Sequence, residues 1–267
     1  MATKEYYRRG PDHRQGRSLG FAELRRQFDF RSIRIGHWVR PEEQAQAAVH
    51  FYDALMDLMC LLQGNETLIT LRGQLSLSYG TGGRRGVAAH YSPAERNLAL
   101  AKNAGPGSLA HEWFHALDHY LVQQLFVKPP KGFFASSAWL QDHPTRPHPI
   151  NACLEACFRS IFLSPDGQEP SALFQASLAQ DRSQGSVYYS LPEEMAARAF
   201  EAYIQDAWIT NHYLVKGSLQ SPEAKRGLYP QGEQREAIKV AFEAYFSRLG
   251  PALRAQQEAR SHKSGLL

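Results

Sequence analysis

The chain of 267 residues has only three cysteines, Cys60, Cys153 and Cys157. So sparse and odd a set excludes the disulfide framework that staples small secreted domains. Long apolar runs are also missing, and nothing approaches the roughly 18 consecutive apolar residues of a spanning helix. The first forty residues are basic and polar and lack the apolar stretch of a secretory leader. Charge of neither sign dominates: 21% of residues are charged and the formal net charge is +4. With 43% hydrophobic residues, the composition excludes a wholly disordered, collagen-like or coiled-coil chain. No internal repeat is present. The expectation is a soluble cytoplasmic protein without a membrane partner, built as one large domain or a core domain with an appendage.

What is present begins with an uneven spread of charge. From Lys4 to Arg40 there are ten Lys or Arg against four acids, with Tyr6, Tyr7, Phe21, Phe28, Phe30 and Trp38 among them. Residues 1–40 read as a basic segment held to the domain by its aromatics. A nucleic-acid arm contacting phosphates is the second reading, although no recognition motif accompanies the charge.

Residues 41–250 carry the periodic segments. Pro41 opens a helix whose first turn holds Glu42 and Glu43, and apolar residues then recur at helical spacing to Leu62. Thr67–Tyr79 alternates like a strand, and a glycine-rich connection (Gly80, Gly82, Gly83, Gly86) fits neither phosphate-binding spacing. Val87–Tyr91 and Asn97–Ala101 read as short strands, and Ser108 as the N-cap of the next helix. Beyond Leu125, five prolines up to Pro149, with Gly132 among them, forbid long elements. Helices are expected over Asn151–Leu163, Pro192–Trp208 and Gln234–Leu249. Asp166–Gly185 reads as a polar surface insertion, and residues 251–267 as a polar tail, frayed from Ala255. Cys153 and Cys157, four apart on one helix, read as buried thiols because no second ligand pair accompanies them.

The segment Ser108–Tyr120 contains His111-Glu112-Trp113-Phe114-His115. Histidines at i and i+4 share one helix face, so both imidazoles can reach one metal ion. Glu112 flanks that pocket and is placed to take a proton from metal-activated water. A catalytic zinc ion needs a third protein ligand. His119 lies about 12 Å along the axis from His111, at 1.5 Å per residue, too far to share the ion. Asp118 is better placed to orient a ligand or pair with a neighbouring helix. On the Pro192 helix, Glu194, Arg198 and Glu201 follow one side, and small residues at 196, 197 and 199 permit close packing. That helix could present Glu194 to the metal and Arg198 to Asp118, with Glu193 and Glu201 as competing ligands.

Val87–Pro93, Asn97–Leu100 and Gly105–Asp118, together with Glu194–Ile204, Tyr213–Val215 and Tyr229–Arg235, resemble the first type of large polyvalent protein-associated domain, a family of bacterial mobile-element proteins. The whole chain, including Tyr6–Pro11 and Phe30–Ile33, is also similar to bacterial proteins labelled CLCA-X. The resemblance implies an α+β, zincin-like metallopeptidase fold, its active-site helix beside a small mixed sheet. The Glu-x-x-Ala-x-x-Phe spacing from Glu194 resembles the third-ligand helix of other glutamate-zincins and selects Glu194 over Glu193. By the same analogy, Val87–Tyr91 or Asn97–Ala101 would be an edge strand pairing with substrate, and His90 a cleft residue.

The function expected is zinc-dependent peptide hydrolysis, with Zn²⁺ on His111, His115 and Glu194 and with Glu112 as general base. The oxyanion needs another donor. Tyr203 and Tyr213 are the leading candidates, and Tyr188 and His212 stay open. The competing reading is a catalytically weak scaffold that binds nucleic acid or a protein partner.

Overall fold

The computed structural model describes residues 6–81, 89–102 and 107–264. The chain forms two compact units. One takes in the described residues of Met1–Ala104, with Ile209–Leu214 and Phe246–Leu267; the other comprises those of Gly105–Trp208 and Val215–Tyr245. Among the described residues the class is α+β, with ten helices and two small sheets. None of these helices is long and apolar enough to cross a membrane.

The first unit begins with β1 (Arg8–Arg9), α1 (Phe21–Phe28), β2 (Ser32–Ile35) and α2 (Pro41–Leu61). It continues through α3 (Glu66–Ile69), β3 (Ser76–Tyr79), β4 (Ala89–Ser92) and β5 (Asn97–Leu100). A later strand, β6 (Thr210–Asn211), pairs antiparallel with β1. The larger sheet has the order β2-β3-β5-β4, parallel except for the antiparallel β4–β5 pair. All four residues of both inner strands, β3 and β5, are buried. Of the two strands expected as an edge, β4 is the edge among the described residues and β5 is flanked on both sides. Val87 and most of the glycine-rich connection lie outside the described residues.

Helix α2 supplies the apolar floor of this unit. Ala48, Phe51, Leu55 and Leu58 recur on one face and are almost wholly buried. Burial of this kind contributes roughly 25 cal/mol per Å² of apolar surface. The single strand expected over Thr67–Tyr79 is instead helix, turn and strand. Asn65 caps α3 by accepting from Leu68 N at 3.2 Å, and Leu71, Arg72 and Gly73 then turn the chain with positive φ. Leu68, Ile69 and Leu71 are all buried, so their spacing matches no single period.

The N-terminal basic segment is folded into this unit rather than lying along it, because β1 and β2 both join sheets. Several of its cations are spent internally: Arg8 on Asp57, Arg14 on Asp53, Arg26 on Glu23 and Arg40 on Glu43.

The second unit is helical: α4 (Ser108–Leu125), α5 (Ala135–Leu140), α6 (Pro149–Phe162), α7 (Ala172–Gln184), α8 (Pro192–Gln205) and α9 (Pro222–Lys225). The last helix, α10 (Gly232–Ser264), starts in this unit and runs through Pro251 into the residues assigned to the first. The polar tail expected from residue 251 is therefore helical to Ser264. The N-cap of α4 is Gly107, not Ser108. Its φ of 94° suits glycine, and a Cβ there would meet Lys216 N at 2.4 Å. The surface insertion expected over Asp166–Gly185 contains α7, capped by Ser171. Its buried face mixes Leu173 with Ser177 and Asp181, which hides the helix from a hydrophobicity pattern.

Candidate metal centre

Two helices build the site. Helix α4 packs along α8, where Phe114 stacks on Phe200 at 4.8 Å and Trp113 lies 5.6 Å from the same ring. Ala110, Ala196, Ala197 and Ala199 are fully buried, so the backbones can approach closely. The register turns His111 and His115 of α4 toward Glu194 in the first turn of α8.

The donor atoms converge. The Nε2 atoms of His111 and His115 are 3.0 Å apart. One Glu194 oxygen lies 3.3 Å from His111 Nε2, and the other 3.4 Å from His115 Nε2. Among the described residues, this trio is the one group of three His, Cys, Asp or Glu side chains assembled tightly enough to hold a metal ion. Tetrahedral coordination at about 2.0–2.1 Å separates neighbouring donors by about 3.3 Å. The residues therefore fit a zinc-sized cation. Glu194 Oε2 makes no aligned hydrogen bond although it is buried, as expected of an atom turned toward a missing partner.

Electrostatics agree with that fit. Burial disfavours a charged His111 ring, but Glu201 and Glu194 outweigh it and lift its pKa to about 10. Burial also opposes ionisation of Glu194, yet His111 and His115 hold it well below the ordinary carboxylate range.

Further side chains surround the trio and hold it in place. Glu201, considered above as a rival ligand, instead accepts from His111 Nδ1 at 2.9 Å. Tyr229 donates to the same Glu201 oxygen at 3.1 Å. Glu201 stands two helical turns after Glu194, so its face was legible; Tyr229, from beyond α9, had no such signal. Asp118 is fully buried and accepts from Ser136 N at 2.9 Å and Ser136 Oγ at 2.5 Å, which ties α4 to α5. The expected Arg198–Asp118 pair does not form. Arg198 donates to Tyr189 O at 2.5 Å and Ser177 Oγ at 3.2 Å, and its guanidinium lies over the Tyr189 ring. His119 packs against Phe134 and is outside the trio.

The tyrosines named as oxyanion candidates lie in different places. Tyr203 stacks its ring on Phe242 at 5.3 Å. Tyr213 belongs to the first unit, where it meets Tyr6 and His50. Tyr188, in the turn before α8, lies near enough to Glu194 to feel its charge. Its side chain is about half exposed, and desolvation with the Glu194 and Glu112 charges pushes its pKa up. Asp181 holds this segment: it accepts from Tyr188 N, Tyr189 N, Ser190 N and Ser190 Oγ at 2.6–3.1 Å. His90 lies on β4 in the first unit. Cys153 and Cys157 are buried thiols outside any disulfide.

The class defined by these features is an α+β protein with a His-His-Glu cluster between two packed helices. Residues 180–253 match the family described as large polyvalent protein-associated domain 1. The resemblance seen in the sequence began near Val87, whereas the match covers α8 and its surroundings and leaves out the histidines of α4. No curated protein and no solved structure matches the chain.

Proposed function

We propose that the chain is a zinc metallopeptidase of the glutamate-zincin type, acting on a protein or peptide substrate. His111, His115 and Glu194 hold the ion. The observation that carries this reading is the convergence of three groups: the Nε2 atoms of His111 and His115 lie 3.0 Å apart, and one Glu194 oxygen lies 3.3 Å from the first and the other 3.4 Å from the second, with Glu112 beside His111 on α4. When bound, zinc supplies Lewis acidity toward water and toward the peptide carbonyl.

The remaining work falls to side chains of the chain itself. Glu112, next to His111, takes the proton from the attacking water and returns it to the leaving amine. Glu201 fixes the His111 ring through Nδ1, and Tyr229 fixes Glu201, which keeps Nε2 directed at the ion. The Tyr188 hydroxyl, held near Glu194 by the Asp181 turn, donates to the developing oxyanion.

Elemental analysis of the purified chain tests the metal assignment, and hydrolysis of a fluorogenic peptide library tests the chemistry. One zinc per chain is expected, lost in Glu194→Ala and retained in Glu112→Gln, with hydrolysis abolished in both. Absence of zinc after resupply, or full hydrolysis by Glu112→Gln, would overturn the reading.

A further inference from the structure

The first unit carries a second polar site that the peptidase reading does not use. A cavity of about 300 Å³ is lined by Tyr6, Arg8, Arg14, His50, Asp53 and Tyr213. That volume is at the lower end for small-molecule pockets and far above the roughly 30 Å³ share of one water molecule.

The lining has hydrogen-bond donors to spare. Arg14 Nε shares its one hydrogen between both Asp53 oxygens at 3.1 Å, and the terminal nitrogens of Arg14 have no partner among the described residues. Arg8 uses Nε and one terminal nitrogen on Asp57, at 2.7 and 2.6 Å, and keeps the other terminal nitrogen. Asn211, also on the wall, is spent: its Nδ2 donates to Asp57 and its Oδ1 accepts from Tyr213 N. The scaffold behind the donors is firm. Asp57 is fully buried and also takes His13 at 2.8 Å, so Arg8 is held by a node of several donors. Guanidinium groups held in this way are pre-organised for an oxyanion.

The rest of the wall is aromatic. Tyr6 meets Tyr213 and His50 edge-on, both at 5.0 Å, and His50 stacks on Tyr213 at 5.3 Å. Val49 adds an aliphatic face. Such surfaces suit a flat organic body more than a hydrated inorganic ion.

We propose that this cavity binds a small aromatic oxyanion, a phosphate or carboxylate carried on a flat ring. The anionic group lies against Arg14 and Arg8 and the ring against Tyr6 and Tyr213. The site is independent of the peptidase reading, because every lining residue belongs to the first unit.

Calorimetric titration of the full chain with phenyl phosphate, benzoate, inorganic phosphate and benzyl alcohol tests the proposal. Saturable binding of phenyl phosphate or benzoate at one site, with a dissociation constant of about 1 mM or tighter, is expected. Whichever of the two binds tighter identifies the oxyanion. Arg14→Gln should weaken binding by about 10- to 100-fold. Val49→Phe, which fills the cavity and leaves the ion pairs intact, should abolish it. Three outcomes overturn the proposal: benzyl alcohol or inorganic phosphate binding as tightly as the aromatic anions, affinity surviving Val49→Phe, or no saturation by either aromatic anion up to about 10 mM.

Discussion

His111 Nδ1 lies 2.9 Å from the Glu201 carboxylate, and this contact decides which ring nitrogen faces the cluster. With Nδ1 committed as a donor, Nε2 carries the lone pair that a metal needs. Glu201→Gln should therefore keep the one-to-one metal stoichiometry while lowering zinc affinity about 10- to 100-fold. Competition with a chromophoric chelator measures this. Unchanged affinity would show that Glu201 does not orient the ligand.

Tyr188 is expected to matter for turnover and little for folding, since its ring is half exposed. Tyr188→Phe should lower kcat by about 10²- to 10³-fold with a small change in KM. Tyr203→Phe, at the ring stacked on Phe242, should leave kcat near wild type. The reverse pattern would move the oxyanion donor to Tyr203.

Asp118 gives a signature in pH. Burial lifts its pKa from the ordinary 3.8 to about 7, against the pull of the Ser136 donors and His115. The folded state then binds the Asp118 proton more tightly than the unfolded state does. This contribution to stability is full below about pH 4, falls as pH rises, and is lost once pH passes about 7. Its steepest slope is about 1.4 kcal/mol per pH unit. Urea melts of the metal-free chain at several pH values should show that loss in wild type, and Asp118→Asn should remove it. Parallel curves for the two proteins would show that Asp118 titrates normally.

Gly107→Ala should destabilise the second unit, because alanine would have to adopt φ near 94° and its Cβ would press on Lys216 N. A loss of at least 1–2 kcal/mol is expected from the backbone conformation alone, before the clash is counted. Zinc affinity should fall with it, since Gly107 sets the start of the helix that carries both histidines. A wild-type melting temperature would refute this role.

Loss of Asp181 should act through the turn that it organises. Asp181→Ala leaves three backbone N–H groups and the Ser190 hydroxyl without their acceptor. A cost of about 2–4 kcal/mol and a weakened kcat are expected. Asp181→Asn, which keeps one acceptor oxygen, should recover part of both. Equal damage from the two substitutions would contradict the clamp.

The amino-acid sequence by itself determined the two helices of the candidate site. His111 and His115 share a face because helical spacing demands it, and Glu194, Arg198 and Glu201 form a second row for the same reason. Such local periodicity survives in a single sequence. The partners across those helices do not, because they depend on how faces meet. Glu201 came to orient His111, Arg198 turned to Tyr189 and not Asp118, and Tyr188 came close to Glu194. The helix–turn–strand over 66–79 was hidden because its apolar residues are buried on several sides. The anion cavity was hidden for a different reason: Arg8 and Arg14 read as surface charge until Asp53 and Asp57, some forty residues later, paired with them. Spacing along one element is a local property of the backbone, whereas a site's chemistry depends on distances between elements that only the packed chain defines.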